Sequence, residues 1–222
     1  MDAIGNQKSL PELVYGRLVE AISDGTLPPG RRLTQEGIAG QLDVSRLPVH
    51  QALKRLQAEG FVRPAGRRGL EVAPLEPTFV RELYEFRAGI DQVAAGLAAR
   101  VADATTRARG EAVVARGHEA AAAHDLRALI EADMAFHQLV YELAGNTMIL
   151  DTMASHWHHT RRVMQHILGD HRNQAQVWRD HQAILEAICT GEPEAAEREA
   201  RAHVERAAAW FEHEVGQAAA AD

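Results

Sequence analysis

Apolar residues recur at helical spacing along almost the whole of this chain, and the short interruption lies between Gly60 and Pro74. Side chains three and four positions apart share a face of a helix, so a chain patterned this way folds by packing helices. Leu10, Val14, Leu18 and Ile22 make one such face, with Leu13 beside it. Ser9 as N-cap and Pro11 in the first turn open a helix over 10–24. Gly25 stops it, and Leu27-Pro28-Pro29-Gly30 follows as a rigid turn. A second helix, 35–42, starts behind Thr34 and turns Ile38 and Leu42 inward. Gly37 and Gly40 each cost it about 1 kcal/mol relative to Ala, so tertiary packing must hold it. After a short turn at Asp43-Val44, Ser45 caps a third helix, 46–59, which tolerates Pro48 in its first turn. Val49, Leu53 and Leu56 face inward there, which leaves Arg46, His50, Gln51, Lys54 and Arg55 outward.

The interruption reads as a β-hairpin. Phe61-Val62-Arg63 and Leu70-Glu71-Val72 form two short strands around a basic, glycine-flanked tip holding Arg67, Arg68 and Gly69. Three helices followed by a basic hairpin make a winged helix-turn-helix, whose third helix enters the major groove of DNA. The start of that helix offers N–H groups to phosphate. Its outward Arg, His, Gln and Lys are donors to base edges and phosphates. The wing arginines can reach a neighbouring groove. The net charge of the 222 residues is −7, which at first argues against a polyanionic partner. Residues 44–72, however, carry six basic side chains and two acidic ones, a local +4. Such asymmetry marks the part of a chain that meets nucleic acid.

Beyond Pro74-Leu75-Glu76-Pro77 the composition changes, and this stretch reads as a linker (74–77) between a DNA-binding domain (1–73) and a second domain (78–222). Of the 12 histidines, 11 lie after residue 76, and alanine is concentrated there too. Six helices are expected, over 78–101, 105–122, 125–144, 147–168, 172–190 and 193–215, with no convincing strand. Cap or breaker chemistry stands at each join, from Asp103-Ala104 to Gly191-Glu192-Pro193. The expected fold is therefore mainly α: a winged helix-turn-helix of three helices and a wing, then an all-α, antiparallel six-helix bundle. The tail after 215 is expected to fray.

Other sequence features narrow the class. No window approaches the roughly 18–20 continuous apolar residues of a membrane span, and no secretory signal is visible, so a cytoplasmic protein without a membrane partner is expected. A single cysteine, Cys189, excludes an internal disulfide framework and an all-cysteine zinc site, and reads as a small hydrophobe at a helix end. Asp133 and His137, at i and i+4, leave one face of the third bundle helix, while His181 and His203 sit on the fifth and sixth. One carboxylate and three imidazoles would suit Zn²⁺, Ni²⁺, Mn²⁺ or Fe²⁺. Spacing alone leaves open the alternative that these histidines are hydrogen-bonded core or surface residues. His156, His158 and His159 diverge by about 100° per residue on a helix, so they cannot share one site. Trp157, Trp178 and Trp210 read as core or interface aromatics.

The run from Gly25 to Val72, with its Leu-Pro-Pro-Gly turn, Leu-Thr helix start, Val-Ser-Arg-Leu-Pro-Val-His-Gln-Ala-Leu helix and wing Arg-Gly, resembles the DNA-binding domain of GntR-family bacterial transcription regulators. The resemblance covers residues 8–75. It implies DNA contacts from Ser45, Arg46 and position 50, with the wing near Gly69; Thr34, Gln51, Lys54, Arg67 and Arg68 complete the expected DNA-binding set. Three positions depart from the family pattern: His50 stands where Arg is usual, Leu47 replaces a common Thr, and Gly37 replaces an acidic or polar residue. A neutral imidazole cannot make the bidentate contact of Arg to guanine, so the usual operator is not assumed.

Two further runs, "EADMAFHQLVYELAGN" and "RDHQAILEAICTGEPEAAEREARAHV", resemble the signatures of the FadR C-terminal domain, the effector-binding bundle of one GntR subfamily. The short bundle is similar to the six-helix, VanR-type branch. The resemblance implies a divalent metal held by Asp133, His137, His181 and His203. It also implies an effector cavity into which Arg87, in its Tyr-Glu-Phe-Arg setting, points to grip a small organic acid; the alternative is an Arg paired with a neighbour such as Glu82. Asn146 and Arg161 are weaker pocket candidates. Together these imply a homodimer on a pseudo-palindromic operator, modulated by a carboxylate docked at the metal. The competing readings are a constitutive DNA-binding dimer with a structural metal, and a metal-dependent enzyme with a passenger DNA-binding domain. No His-Glu-x-x-His helix supports the enzyme.

Overall fold

A computed structural model of the chain describes residues 8–66 and 69–221, with 215–221 described by backbone alone. Nine α-helices and three short strands are found among the described residues. The chain divides between Leu75 and Glu76 into two compact units, each with its own core.

The first unit holds α1 (Leu10–Ser23), β1 (Arg32–Leu33), α2 (Gln35–Leu42), α3 (Arg46–Ala58), β2 (Val62–Pro64) and β3 (Leu70–Val72). Val14, Leu18 and Ile22 of α1 meet Val49, Leu53 and Leu56 of α3 in one buried cluster. Leu10 and Leu13, which share the periodic face of α1, remain about half exposed. Thr34 caps α2 as expected, its hydroxyl accepting from the Gly37 N–H at 3.1 Å. Ser45 occupies the N-cap of α3, but its hydroxyl makes no capping hydrogen bond.

The sheet has one strand more than the sequence suggests. β1 pairs antiparallel with β3, Arg32 opposite Glu71, so the order is β1-β3-β2. Two residues carry no readable alternation, which is why this strand has no sequence signal. The hairpin strand also starts one residue later than expected, because the Phe61 N–H bonds back to Leu56 O and closes the end of α3. Gly66 and Gly69, at φ 65° and 107°, supply the left-handed positions of the wing turn.

The second unit holds α4 (Pro77–Ala99), α5 (Ala104–Ala122), α6 (Leu126–Ala144), α7 (Thr147–Gly169), α8 (His171–Cys189) and α9 (Pro193–Ala221). Each join is made by the chemistry written in the sequence. Asp103, Asp125, Asn146 and Asp170 accept backbone N–H groups as N-caps of α5, α6, α7 and α8. Pro77 opens α4 at a position where its missing N–H costs nothing. The last helix runs through the alanine-rich tail to Ala221 rather than fraying at 215.

α4 packs chiefly on α9 and α6, and α5 on α6 and α8. Glycine makes the second contact possible. An added Cβ at Gly110 would lie 2.2 Å from Leu185, and one at Gly117 would lie 2.0 Å from the Trp178 ring. Trp178 is thereby fully buried, while Trp157 and Trp210 pack at the edge of the same core. Cys189 is partly buried against that core as well.

Candidate functional site

In the first unit α3 presents Ser45, Arg46, Gln51 and Lys54 to solvent, with His50 half-buried beside them. Thr34 at the start of α2 and Gly69 in the wing are exposed too. Arg67 and Arg68 lie outside the described residues. The outward face is already wired. Arg46 pairs with Glu36 of α2 at 2.8 Å, and the Gln35 amide lies 3.1 Å from His50 Nδ1. Arg55 is taken out of the recognition face: it lies over the Tyr15 ring at 3.9 Å and bonds Glu59 at 2.9 Å. Arg63 is likewise paired across the sheet with Glu71. Exposed pairs of this kind are worth little, so the Arg46–Glu36 contact is easily exchanged for a phosphate.

In the second unit, Asp133 and His137 of α6, His181 of α8 and His203 of α9 converge, each offering one ligand atom within 4.8 Å of the others. All four are buried. Asp133 Oδ1 lies 3.4 Å from His181 Nε2, and Asp133 Oδ2 lies 3.8 Å from His137 Nε2. Yet among the described residues Asp133 Oδ2 and both Nε2 atoms lack a hydrogen-bond partner. Buried polar atoms left this way cost about 1–3 kcal/mol each, so several facing one point mark a place built for something else.

The donor set fits a divalent cation of borderline character. Burial pushes the His137 imidazole below its ordinary range, reinforced by the charge of Arg87. Burial pushes His181 well below it, with the other imidazoles and Arg87 adding to the effect. Both therefore stand neutral near pH 7, the form that ligates a metal.

The surroundings contain residues that the sequence reading passed over. Arg87 of α4 is fully buried, and its partner is Asp91, one turn along, at 3.4 Å; it is not Glu82. Asp91 also faces His137 Nδ1 at 3.2 Å and accepts from the Tyr141 hydroxyl. Burial would raise the Asp91 carboxyl, but the nearby charges of His137 and Arg87 and the Tyr141 hydrogen bond bring it down to about 2. Among the described residues, Arg87 Nε and Nη2 and Asp91 Oδ2 have no hydrogen-bond partner. Tyr84 sits beside Arg87, with its hydroxyl pushed up to about 12 by burial. Asp180 of α8 faces His203 Nδ1 at 3.3 Å and is held by Arg206 and Gln176. A carboxylate inside the apolar face of α4, four residues after an Arg, was the available signal for Asp91. For Asp180 it was the Asp-His step opening the second signature.

Asn146 and Arg161 are placed differently. The Asn146 side chain accepts from Met148 N–H as the cap of α7, and Arg161 is half-buried further along that helix. Of the three neighbouring histidines, His159 is buried against Phe79, while His156 is half-buried against Phe86. A surface cleft of about 380 Å³ opens between α5 and α6, lined by Arg116, Glu119, Asp125 and Glu131. Its charges are mixed and exposed, and it is lined by none of the four ligand-type residues.

A winged helix-turn-helix unit followed by a helical unit with such a cluster is the architecture of a bacterial transcription regulator. Residues 10–72 match the bacterial regulatory proteins of the gntR family, and residues 82–206 match the FCD domain. The chain belongs to the GntR family, in the group that carries an FCD domain, and is a DNA-binding transcription regulator. It is 34% identical over 135 residues to an uncharacterised HTH-type transcriptional regulator from the TAR-I ttuE-ttuC' intergenic region of Agrobacterium vitis, covering 59% of this chain and 78% of that one. It is 27% identical to the uncharacterised HTH-type regulator YdhC of Bacillus subtilis, over 85% of each chain. Among solved structures, one described as a transcriptional regulator GntR from Rhodococcus sp. RHA1 superposes with a TM-score of 0.76 at 28% identity, over 92% of this chain and 98% of that one. The family and these relatives are regulators, not enzymes. No described helix is long and apolar enough to cross a membrane.

Proposed function

We propose that this regulator is ligand-responsive: a homodimer binds a pseudo-palindromic operator through its winged units, and a small carboxylate in the helical unit modulates that binding. Asp133, His137, His181 and His203 would hold a divalent metal, from the group Zn²⁺, Ni²⁺, Mn²⁺ and Fe²⁺. The metal would supply a Lewis-acidic position for the effector's carboxylate. Arg87 would take the other end of the anion, since a planar guanidinium grips a carboxylate bidentately. The observation that carries the reading is the convergence of buried ligand atoms, several without a hydrogen-bond partner among the described residues, next to a buried guanidinium whose Nη2 likewise has none there. On DNA, Ser45, Arg46, His50, Gln51 and Lys54 would read the major groove, with Thr34 and the wing, Arg67 to Gly69, contacting flanking phosphates and an adjacent groove.

The effector must bind one arrangement of the dimer better than another, or it shifts nothing. The test is a thermal-shift screen of small organic acids on metal-loaded protein, followed by operator titrations with each hit. A stabilising acid that changes operator affinity at least several-fold, and does so no longer in an Arg87→Met or His181→Ala variant that still binds DNA, is the expected result. The full burial of all four ligand residues also favours a second reading, a closed structural metal site. In that case the His181→Ala variant unfolds the helical unit and no acid alters operator binding, which rejects the sensor.

A further inference from the structure

Two of the three imidazoles in the cluster have a carboxylate behind them, and the third does not. His137 carries Asp91 on its Nδ1 at 3.2 Å, and His203 carries Asp180 at 3.3 Å. His181 Nδ1 has no hydrogen-bond partner among the described residues; that ring is stacked on Phe136, centroids 4.1 Å apart, with the Trp178 ring edge-on at 4.9 Å. A carboxylate facing Nδ1 keeps the proton there and leaves the Nε2 lone pair directed the other way, into the cluster. His137 Nε2 does point at Asp133.

We infer that Asp91 and Asp180 are positioning residues that fix His137 and His203 in the Nδ1–H tautomer, so that both present Nε2 to a metal, whereas His181 has aromatic rings and no carboxylate on its Nδ1 side. The inference rests on the metal reading for its purpose, but the tautomers are a property of the metal-free chain. Asp91 has a second part: the same Oδ2 that faces His137 lies 3.4 Å from Arg87 Nε, and Oδ1 takes the Tyr141 hydroxyl. One carboxylate oxygen thus lies between a ligand imidazole and the buried guanidinium, near both but with no hydrogen bond to either among the described residues. Asp180 is tied instead to Arg206, which is 38% exposed and can turn to water.

That difference selects the variants. Removing Asp91 strands a buried Arg, so the Asp180 variants carry the decision. Asp180→Ala abolishes the acceptor, and Asp180→Asn keeps a carbonyl for Nδ1–H while losing the charge. Zn²⁺ affinity of the full chain is measured by competition with a chromogenic chelator. Imidazole tautomers of the metal-free chain are read from long-range ¹H–¹⁵N correlations at pH 8. The expected result is a loss of about 10–100-fold in Zn²⁺ affinity for Asp180→Ala, with partial recovery in Asp180→Asn and helical content unchanged. The wild-type spectrum should show Nδ1–H at His137 and His203, and Asp180→Ala should lose it at His203 only. Asp91→Asn, whose single carbonyl oxygen can serve His137 or Tyr141 but not both, should also weaken Zn²⁺ binding. Wild-type Zn²⁺ uptake with Nε2–H tautomers, or with affinity within twofold in both Asp180 variants, overturns the inference and leaves the metal reading standing. No uptake by a wild-type chain that shows the Nδ1–H tautomers overturns the metal reading and supports the positioning.

Discussion

His50 is the recognition-helix residue that departs most from the family pattern, and its surroundings make the departure specific. Gln35 reaches its Nδ1 at 3.1 Å, so the imidazole is held against α2 and offers the groove one nitrogen. A single donor or acceptor discriminates between bases less sharply than a bidentate Arg, whose good contacts are worth about 1–3 kcal/mol. His50→Arg is therefore expected to tighten binding to family-type operators about tenfold. Fluorescence-anisotropy titrations at fixed salt check this, and unchanged or weaker binding would reject it. The comparison must hold salt constant, because phosphate contacts give protein–DNA affinity a steep salt dependence.

Among elements, the packing of α5 on α8 depends on absence of side chain. Gly110 and Gly117 stand seven residues apart on the buried side of α5, opposite Leu185 and Trp178. In the sequence they look like helix-weakening positions costing about 1 kcal/mol each against Ala. In the fold they are the slots that let a buried indole cross a helix backbone. Gly117→Ala should thus destabilise the helical unit by about 1–3 kcal/mol, in spite of the better helix propensity of Ala. Urea unfolding followed by Trp fluorescence measures it, and a stabilised variant would sink the argument. The same helices show how far element-level reading reaches. Asp103, Asp125, Asn146 and Asp170 mark the starts of α5 to α8 because cap chemistry is local. β1 is silent because two residues acquire strand geometry only from β3.

At the scale of the molecule, the −7 net charge is an average over a unit that meets DNA and an acidic helical unit that carries the buried cluster. Metal loading should accordingly stabilise the second unit. With free Zn²⁺ at about 100 times its dissociation constant, the apparent gain is about 2.7 kcal/mol. Calorimetry should show the transition of the helical unit moving up, and a chelator should reverse the shift; an unmoved transition would remove the metal from the account.

Chain patterning by itself determined most helix starts and caps and the three helices and hairpin of the winged unit, since these follow from spacing along one element; the four-residue donor set, spread over three helices, came only from the resemblance of two runs to the FadR C-terminal signatures. The resemblance implied an inward-pointing Arg87, and the structure finds it buried on α4. What tertiary structure alone decided is which polar groups share a volume. Arg87 meets Asp91 rather than Glu82, Asp91 and Asp180 stand behind two of the imidazoles, and Arg55 is withdrawn to Tyr15 and Glu59. Periodicity records which face of a helix is buried; it does not record which neighbour that face meets, and burial gives a polar atom its consequences only once that neighbour is in place.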